Sequence, residues 1–294
     1  MTAGPSSMRW RSWMTGSLID GWGRCRSVAR VGAVDAGTEG EVLAGGLMNA
    51  GSVVKVGDVV RRPSPPQVGA IHSLLRGLAV HGFDGVPAPL GVGSDGREEL
   101  RFVPGKVPVP PFPDWALSDE ALASVGLLLR GFHDASAAVP VDRAVSWPVG
   151  AADPEGGTML CHNDVCPENV VFRDGRAVAL IDFDLAAPGR PIWDLVMTAR
   201  YWVPMVPPES AAVKWRSDLD PVARLRLLVD AYGLPRREWS AVVPVLQTIN
   251  EVLRRFVAGL IADGHEEMRQ AHEELGGWQR WDRVDRWVAG FSWI

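Results

Sequence analysis

The stretch from Leu160 to Asp184, LCHNDVCPENVVFRDGRAVALIDFD, constrains the fold more than any other part of the chain. Two short apolar runs flank Arg173-Asp174-Gly175, and such runs around an Asp-Gly turn are typical of a β-hairpin. Asp164 and Asn169 precede the first run, and Asp182 follows the second. The pattern therefore predicts that these three side chains meet at one end of a small ribbon.

A loop Asp, a nearby Asn and a second Asp suit phosphoryl transfer. The first Asp can orient an acceptor hydroxyl and take its proton, while the other two residues hold magnesium against nucleotide phosphates. Mg²⁺ prefers hard oxygen ligands and keeps several waters, so one carboxylate and one amide suffice as protein ligands. The alternative is a hairpin whose polar residues only cap turns, but turn chemistry does not require all three residues together.

The spacing H-x-D-x-x-x-x-N, provided by His162, Asp164 and Asn169, is followed by an apolar strand and the sequence IDFD. This combination resembles the aminoglycoside phosphotransferase and choline kinase-like families, which are relatives of the protein kinases. The resemblance implies an α+β, two-lobed protein kinase-like fold with a small antiparallel sheet in the N-terminal lobe and a mainly helical C-terminal lobe. It also implies that Asp164 is the catalytic base, that Asn169 and Asp182 are ligands of Mg²⁺, and that ATP donates the phosphate.

The chain divides into three parts under this interpretation. Residues 1–36 carry Arg and Ser with little acid and are expected to be a poorly ordered extension. Residues 37–103 are expected to form the nucleotide-binding lobe, and residues 104–294 the catalytic and acceptor-binding lobe. Apolar patterns and turn residues predict strands near 41–44, 53–56, 59–62, 87–92 and 98–103, and helices over 67–81, 118–138, 192–205, 221–232 and 238–262.

The first lobe begins as a β-meander whose first turn contains glycine. Glycines let backbone N–H groups approach a phosphate, so Gly46 and Asn49 in this turn are expected to contact the nucleotide. The turn lacks the Lys of a P-loop, which disfavours P-loop chemistry. By the resemblance, Leu100 and Phe102 belong to the hinge between the lobes, where backbone groups would bind adenine.

A kinase-like lobe needs a cation on its third strand to neutralise the nucleotide phosphates. This strand carries Arg61 and Arg62 in place of Lys, and neighbouring strand residues point to opposite faces. The pattern Val-Val-Arg-Arg-Pro favours Arg61 as the inward residue, and two solvated strand-edge arginines are the alternative. Protein kinases place a Glu on the following helix to pair with this cation, but the helix over 67–81 has none. His72 is the ionisable residue near the expected place, and it is assigned no role.

Two further interpretations concern residues near the loop. Cys161, His162 and Cys166 are close in sequence and could bind zinc, but the remaining cysteine lies far upstream, so a four-ligand site lacks partners. Asp194 stands where related enzymes carry an Asp that braces the catalytic loop, and structural support is the role expected for it. His133 either buttresses the same loop or lies on the solvated surface.

Composition limits the partners. A net charge of −5 over 294 residues disfavours a general nucleic-acid binder, which is usually basic. No apolar run approaches the length of a membrane-spanning helix, and 3 scattered cysteines fit the reducing cytoplasm. The expected partners are ATP and a small hydroxylated acceptor, either an aminoglycoside-like antibiotic or a related metabolite. A nucleotide-binding protein without transferase activity is the alternative, because the helix Glu is missing and Arg replaces Lys.

Overall fold

The computed structural model describes residues 40–43, 52–109, 112–208 and 219–294. The extension expected over 1–36 and the expected phosphate contacts Gly46 and Asn49 lie outside these residues. Within them the fold is α+β and protein kinase-like, as predicted: an antiparallel sheet is followed by a mainly helical region.

The sheet has five antiparallel strands in the order β1-β2-β3-β5-β4. Gly57, at φ 58°, turns the chain between β2 and β3, in the left-handed region that favours glycine. Proline cannot donate a ladder hydrogen bond, and Pro63 is the last residue of β3. The strands confirm the predicted meander and are β1 Glu41–Val42, β2 Val54–Val56, β3 Val59–Pro63, β4 Pro89–Val92 and β5 Arg97–Arg101.

Helices supply most of the remaining structure. The second begins where Ser118 Oγ accepts a hydrogen bond of 3.1 Å from the N–H of Ala121, and the fourth ends at Gly233 with φ 80°. A 3₁₀ turn over Arg236–Ala241 precedes the fifth helix, where a continuous helix was predicted. The helices are α1 Val68–Val80, α2 Asp119–Ser136, α3 Pro191–Trp202, α4 Pro221–Tyr232, α5 Val242–Ala262, α6 Glu266–Glu274 and α7 Gly277–Ala289.

Two pairs of short strands lie between α2 and α3. Asp174 at φ 51° and Gly175 at φ 76° form the tight turn of the predicted hairpin, because a two-residue hairpin turn of this type needs positive φ at both positions. The other pair was not predicted: a segment around Pro188 lies antiparallel to the strand that leads into the loop. These strands are β6 Met159–Cys161, β7 Val170–Arg173, β8 Arg176–Leu180 and β9 Ala187–Gly189.

One cluster of buried side chains joins α1, the hairpin and the helical region. The predicted stripe of α1 is buried at Ile71, Leu74 and Leu78, and Phe132 of α2 is fully buried. Each such side chain contributes about 1.5–3 kcal/mol when it leaves water. The hairpin and the loop before it therefore rest on a packed base. In the part of the chain that the structure describes, no helix combines the length and the hydropathy needed to cross a membrane.

Candidate active site

Asp194, at the start of α3, holds the loop that follows β6. Its two carboxylate oxygens accept hydrogen bonds from the backbone N–H groups of His162 at 2.7 Å and Asn163 at 2.9 Å. His133 Nε2 lies 3.0 Å from the same carboxylate, and His133 Nδ1 lies 2.8 Å from the hydroxyl of Tyr232. All of these groups are buried. The expected brace is therefore present, and His133 buttresses the loop from α2.

The imidazole of His162 fixes the backbone on both sides of the ribbon. Its Nδ1 accepts a hydrogen bond of 3.3 Å from the N–H of Asp164, and its Nε2 lies 3.0 Å from the carbonyl oxygen of Ile181. Burial lowers the pKa of His162 more than the charge of Asp194 raises it. A neutral ring with the proton on Nε2 satisfies both contacts, so His162 links the loop to the end of β8.

Asp164 and Asn169 are in direct contact. The amide nitrogen of Asn169 donates to Asp164 Oδ2 at 2.9 Å and to the Asp164 carbonyl oxygen at 3.0 Å. Both residues are buried, at 3% and 7% exposure. Because the Asn169 nitrogen is committed to Asp164, the Asn169 amide oxygen is directed elsewhere. A fixed carboxylate beside an oriented amide oxygen is the arrangement that a base and a metal ligand require.

Asp182 reaches the same end of the ribbon. Ile181 N–H donates to the Asn169 carbonyl oxygen at 2.9 Å, so the residue after Ile181 lies beside the loop. Asp182 has φ 65°, which turns the chain immediately after β8, and its side chain is about one third exposed. The structure thus places Asp182 beside the loop that carries Asp164 and Asn169, the other two residues that the sequence singled out.

The orientation of the two arginines of β3 is the reverse of the prediction. Arg61 lies on the outer face, where it contacts Asp95 at 3.0 Å and Glu99 at 3.1 Å. Arg62 is only 6% exposed, and its Nη1 and Nη2 lie 2.8 Å and 2.9 Å from the carboxylates of Asp182 and Asp184. The prediction that Arg61 faces inward is therefore wrong. Neighbouring residues of a strand point to opposite faces, and in β3 it is Arg62 that points toward the loop.

A glutamate that the sequence did not flag completes the environment of Arg62. Glu98 on β5 is fully buried, and its Oε2 lies 2.5 Å from Arg62 Nε. Its other oxygen, Oε1, lies 2.9 Å from Nε2 of His72 on α1. The three carboxylates around Arg62 raise its pKa although burial opposes them. The arginine is therefore a permanent cation between the sheet and the loop.

Asp184 is the most perturbed carboxyl group of the site. Burial raises the pKa of Asp184 above its ordinary value, the charge of Arg62 opposes this rise, and the charges of Asp182 and Glu98 add to it. Gln67, just before α1, donates from its side chain to the Asp184 carbonyl oxygen at 2.9 Å. The segment after β8 is thus held from the sheet side through both Arg62 and Gln67.

An aromatic wall lies on the other side of Asp164. Tyr201 on α3 is fully buried and faces the Asp164 carboxylate, and burial together with this charge raises the pKa of the phenol well above its usual value. Trp202 Nε1 donates to the carbonyl oxygen of Val165 at 2.8 Å. The apolar gap enclosed beside the loop has no room for a water molecule, and it is lined by Phe112, Ala116, Leu117, Pro167, Tyr201 and Trp202.

The expected hinge residues lie at the end of β5. Leu100 is buried in the core, and the N–H of Phe102 donates to the carbonyl oxygen of Asp58 at 2.8 Å. Lys55 Nζ lies 4.4 Å from the centre of the Phe102 ring. Phe102 thus stands where the sheet gives way to the irregular segment that leads to α2. Adenine binding there stays a prediction.

The zinc alternative finds no matching cluster in the described residues. The potential ligands that lie together are His133, Cys161 and Asp194, not Cys161, His162 and Cys166. Both oxygens of Asp194 already accept hydrogen bonds, and both ring nitrogens of His162 are engaged. Burial raises the pKa of the Cys161 thiol well above its usual value, so it stays protonated. This buried cluster is explained by hydrogen bonds that support the loop.

The third strand of an antiparallel sheet carries a cation that is directed at a group of Asp, Asn and Asp residues, and helices lie behind that group. This arrangement defines the protein kinase-like class of phosphotransferases. Comparison with known proteins agrees. A model of the phosphotransferase enzyme family, APH, matches residues 145–228. The trifolitoxin immunity protein of Rhizobium leguminosarum bv. trifolii is 35% identical over 205 residues, which are 67% of this chain and 76% of that protein. The chain belongs to the APH phosphotransferase family.

Solved structures share the fold at lower sequence identity. The macrolide 2'-phosphotransferase of Brachybacterium faecium is 19% identical, with a TM-score of 0.51 over 82% of this chain and 93% of that one. A choline/ethanolamine kinase family protein from Mesorhizobium loti is also 19% identical, with a TM-score of 0.52 over 87% and 95%. The GDP complex of aminoglycoside 2'-phosphotransferase-IIIa gives 19% identity and a TM-score of 0.53 over 87% and 94%.

Proposed function

We propose that this protein is a kinase of small molecules, which transfers the γ-phosphate of ATP to a hydroxyl group of its acceptor. The observation that carries the proposal is the direct contact of Asp164 with Asn169, beside Asp182, at one end of the ribbon. Phosphoryl transfer needs positioning and charge stabilisation more than covalent chemistry by the protein. A braced loop with these three side chains supplies the positioning.

Asp164 is the base of the proposed reaction. The acceptor hydroxyl oxygen attacks the γ-phosphorus, the bond from that phosphorus to the bridging oxygen breaks, and ADP leaves. The hydroxyl proton passes to the Asp164 carboxylate. The hydrogen bond from the Asn169 amide holds one carboxylate oxygen in place, so the carboxylate keeps one orientation toward the acceptor.

The donor set fits Mg²⁺. Asn169 offers an amide oxygen and Asp182 a partly exposed carboxylate, both of them hard ligands. When bound, the metal would neutralise charge on the β- and γ-phosphates. Arg62, rather than Arg61, is the cation that we assign to the phosphates, since it is the one directed at Asp182.

Backbone groups are proposed to bind the rest of the nucleotide. The hinge at Leu100 and Phe102 would receive adenine through backbone groups other than the Phe102 N–H, which donates to the Asp58 carbonyl oxygen. The ATP supply of the cytoplasm makes that compartment the proposed site of action.

The acceptor that we propose is a hydroxylated antibiotic or toxin. One relative is an immunity protein against trifolitoxin, and two structural neighbours act on a macrolide and on an aminoglycoside.

The test is ADP release with Mg–ATP and a panel of acceptors: macrolides, aminoglycosides, choline, ethanolamine and trifolitoxin. We expect one class to stimulate release and to gain phosphate by mass spectrometry. Asp164→Asn should lower turnover by about 10²–10⁴-fold, the usual contribution of a general base. Asp174→Asn, in the exposed hairpin turn, is the matched control and should leave turnover unchanged, because Asn also tolerates positive φ.

A nucleotide-binding protein without transfer activity is the second candidate. The observation that favours it is the Arg62 guanidinium, which already occupies Asp182 and Asp184 with positive charge. Under this alternative Mg–ATP binds with measurable affinity, no acceptor stimulates ADP release, and Asp164→Asn changes nothing. Phosphorylation of any acceptor that Asp164→Asn abolishes would exclude it.

A further inference from the structure

The two arginines of β3 have two glutamate partners on β5, in register and on opposite faces of the sheet. Arg61 lies opposite Glu99, and Arg62 lies opposite Glu98. The first pair is partly exposed, whereas Arg62 and Glu98 are buried. Two cross-strand ion pairs therefore join β3 and β5 at neighbouring register positions. The Arg62–Glu98 pair faces the candidate active site, and the Arg61–Glu99 pair does not.

The guanidinium of Arg62 is held at all three of its nitrogens. Nε contacts Glu98, and Nη1 and Nη2 contact Asp182 and Asp184. A guanidinium is a rigid planar fork, so a partner at Nε sets the direction of the two other nitrogens. The contact with Glu98 therefore determines where the charged end of Arg62 points.

Glu98 is itself anchored on the helix side. Its second carboxylate oxygen lies 2.9 Å from Nε2 of His72, which is 5% exposed on α1. Helix α1 contains no glutamate, so it cannot provide an acidic partner for the cation of β3. The sheet supplies the acidic partner, and the helix supplies a nitrogen that fixes it.

We propose that Glu98 is a positioning residue for phosphate binding: from β5, and secured by His72, it fixes the Arg62 guanidinium toward the Asp182 loop. The strand glutamate thereby replaces the helix glutamate that α1 lacks. The inference rests on the proposed function in one respect, which is that the cleft beside Arg62 receives a nucleotide.

The register offers a matched pair of variants for the test. Glu98→Gln and Glu99→Gln each neutralise one β5 glutamate that faces one β3 arginine. We expect Glu98→Gln to weaken binding of Mg–ATP by about 100-fold in isothermal titration calorimetry, the scale of a misplaced binding group. Glu99→Gln should bind as the natural chain does. Equal affinities in the two variants would overturn the proposal.

A double-variant cycle with Arg62→Gln separates positioning from simple structural support. If Glu98 acts through Arg62, then Glu98→Gln causes no further loss of affinity in the Arg62→Gln background. Independent, additive losses would contradict the proposal. The double variant removes both members of the Arg62–Glu98 pair, so neither of these two charges is left buried without the other. If Glu98→Gln alone does not fold, Glu98→Asp keeps the charge but withdraws it, and unchanged affinity in that variant would overturn the inference.

These measurements separate the inference from the proposed function. Nucleotide affinity is read without any acceptor. A chain that binds Mg–ATP but phosphorylates no acceptor fails the proposed function, and the cycle between Arg62 and Glu98 still decides the inference. Absence of nucleotide binding in the natural chain would overturn both.

Discussion

The two carboxylate oxygens of Asp194 accept hydrogen bonds from two backbone N–H groups, and one of them also contacts an imidazole. All of these groups lie in the interior. Burial alone would raise its pKa, but the hydrogen bond and charge of His133, together with His162, lower it below the ordinary value of 3.8. A carboxyl group whose folded pKa is depressed stabilises the fold above its unfolded pKa. That stability is lost as the pH falls through the folded pKa.

Asp194→Asn should therefore destabilise the protein at pH 7 by about 3 kcal/mol, the scale of breaking a buried, hydrogen-bonded charge pair. The difference from the natural chain should narrow as the pH falls below 3.8, because the unfolded chain then binds a proton at Asp194 that the folded state, with its lowered pKa, does not yet bind. Urea unfolding between pH 3 and pH 7 measures both effects. Asp134→Asn, next to His133 but exposed, is the control and should change stability by less than about 0.5 kcal/mol. Equal stability of the Asp194 variant and the natural chain at pH 7 would contradict the brace.

The role of Asp182 can be distinguished from the roles of its neighbours by the Mg²⁺ dependence of nucleotide binding. Asp182→Asn should raise the Mg²⁺ concentration needed for half-maximal nucleotide binding by roughly 10-fold or more, since even the loss of a ligand's hydrogen-bond partner costs that much. Asp95→Asn is the control, because Asp95 also pairs with an arginine of β3 but lies on the outer face. Titration of Mg²⁺ at fixed ATP gives the comparison. An identical Mg²⁺ requirement in both variants would remove Asp182 from the metal site.

Among the elements, the pairing of β6 with β9 supports the start of the loop. Gly157 lies just before β6, and a Cβ atom there would overlap the carbonyl oxygen of Gly189 on β9. This contact is between backbones, so no side-chain rotation can relieve it. The close approach of the two strands therefore requires glycine at position 157.

Gly157→Ala should destabilise the protein by about 1–3 kcal/mol, the usual cost of overpacking a tight site. Gly69→Ala is the control, since Gly69 is exposed on α1 with open space at its Cβ position. That change should be neutral or slightly stabilising, because Ala favours the helix. Thermal unfolding measures both variants. A Gly157 variant that is as stable as the Gly69 variant would show that β9 can shift without cost.

The elements that could be predicted are those whose signals are local. The hairpin followed from its Asp174-Gly175 turn, and α4 followed from its apolar spacing and the stop at Gly233. Strand β9 was missed because its three residues become a strand only by pairing with β6, about 28 residues earlier in the chain, and no local pattern encodes that contact. The sequence gives only a weak indication that Glu98 faces inward. Glu98 stands two residues before the buried Leu100, so both residues share the inner face of β5.

Over the whole molecule, the sheet and the helical region are joined through the candidate site. Arg62 and Gln67 reach the segment after β8 from the sheet side. Farther along the hairpin, Leu180 N–H donates to the Gly85 carbonyl oxygen at 2.9 Å. The motif alone implied the fold class and the position of the cleft. The choice between Arg61 and Arg62 needed the register of β3 against β5, which depends on the assembled sheet rather than on either strand alone.

A ligand that touches both sides of this cleft should stabilise the whole chain. A compound that binds only the folded state adds RT ln(1 + [L]/Kd), which is about 2.7 kcal/mol at a free concentration of 100 Kd. We expect Mg–ATP, at 100 times the Kd found by calorimetry, to raise the free energy of unfolding in urea by that amount. ATP with a chelator should give a smaller gain, because the Mg²⁺ that Asn169 and Asp182 would hold is then removed. An equal gain in the free energy of unfolding with and without the metal would mean that Mg²⁺ contributes nothing to nucleotide binding. The nucleotide would then bind away from Asn169 and Asp182, the residues that are proposed to hold the cation.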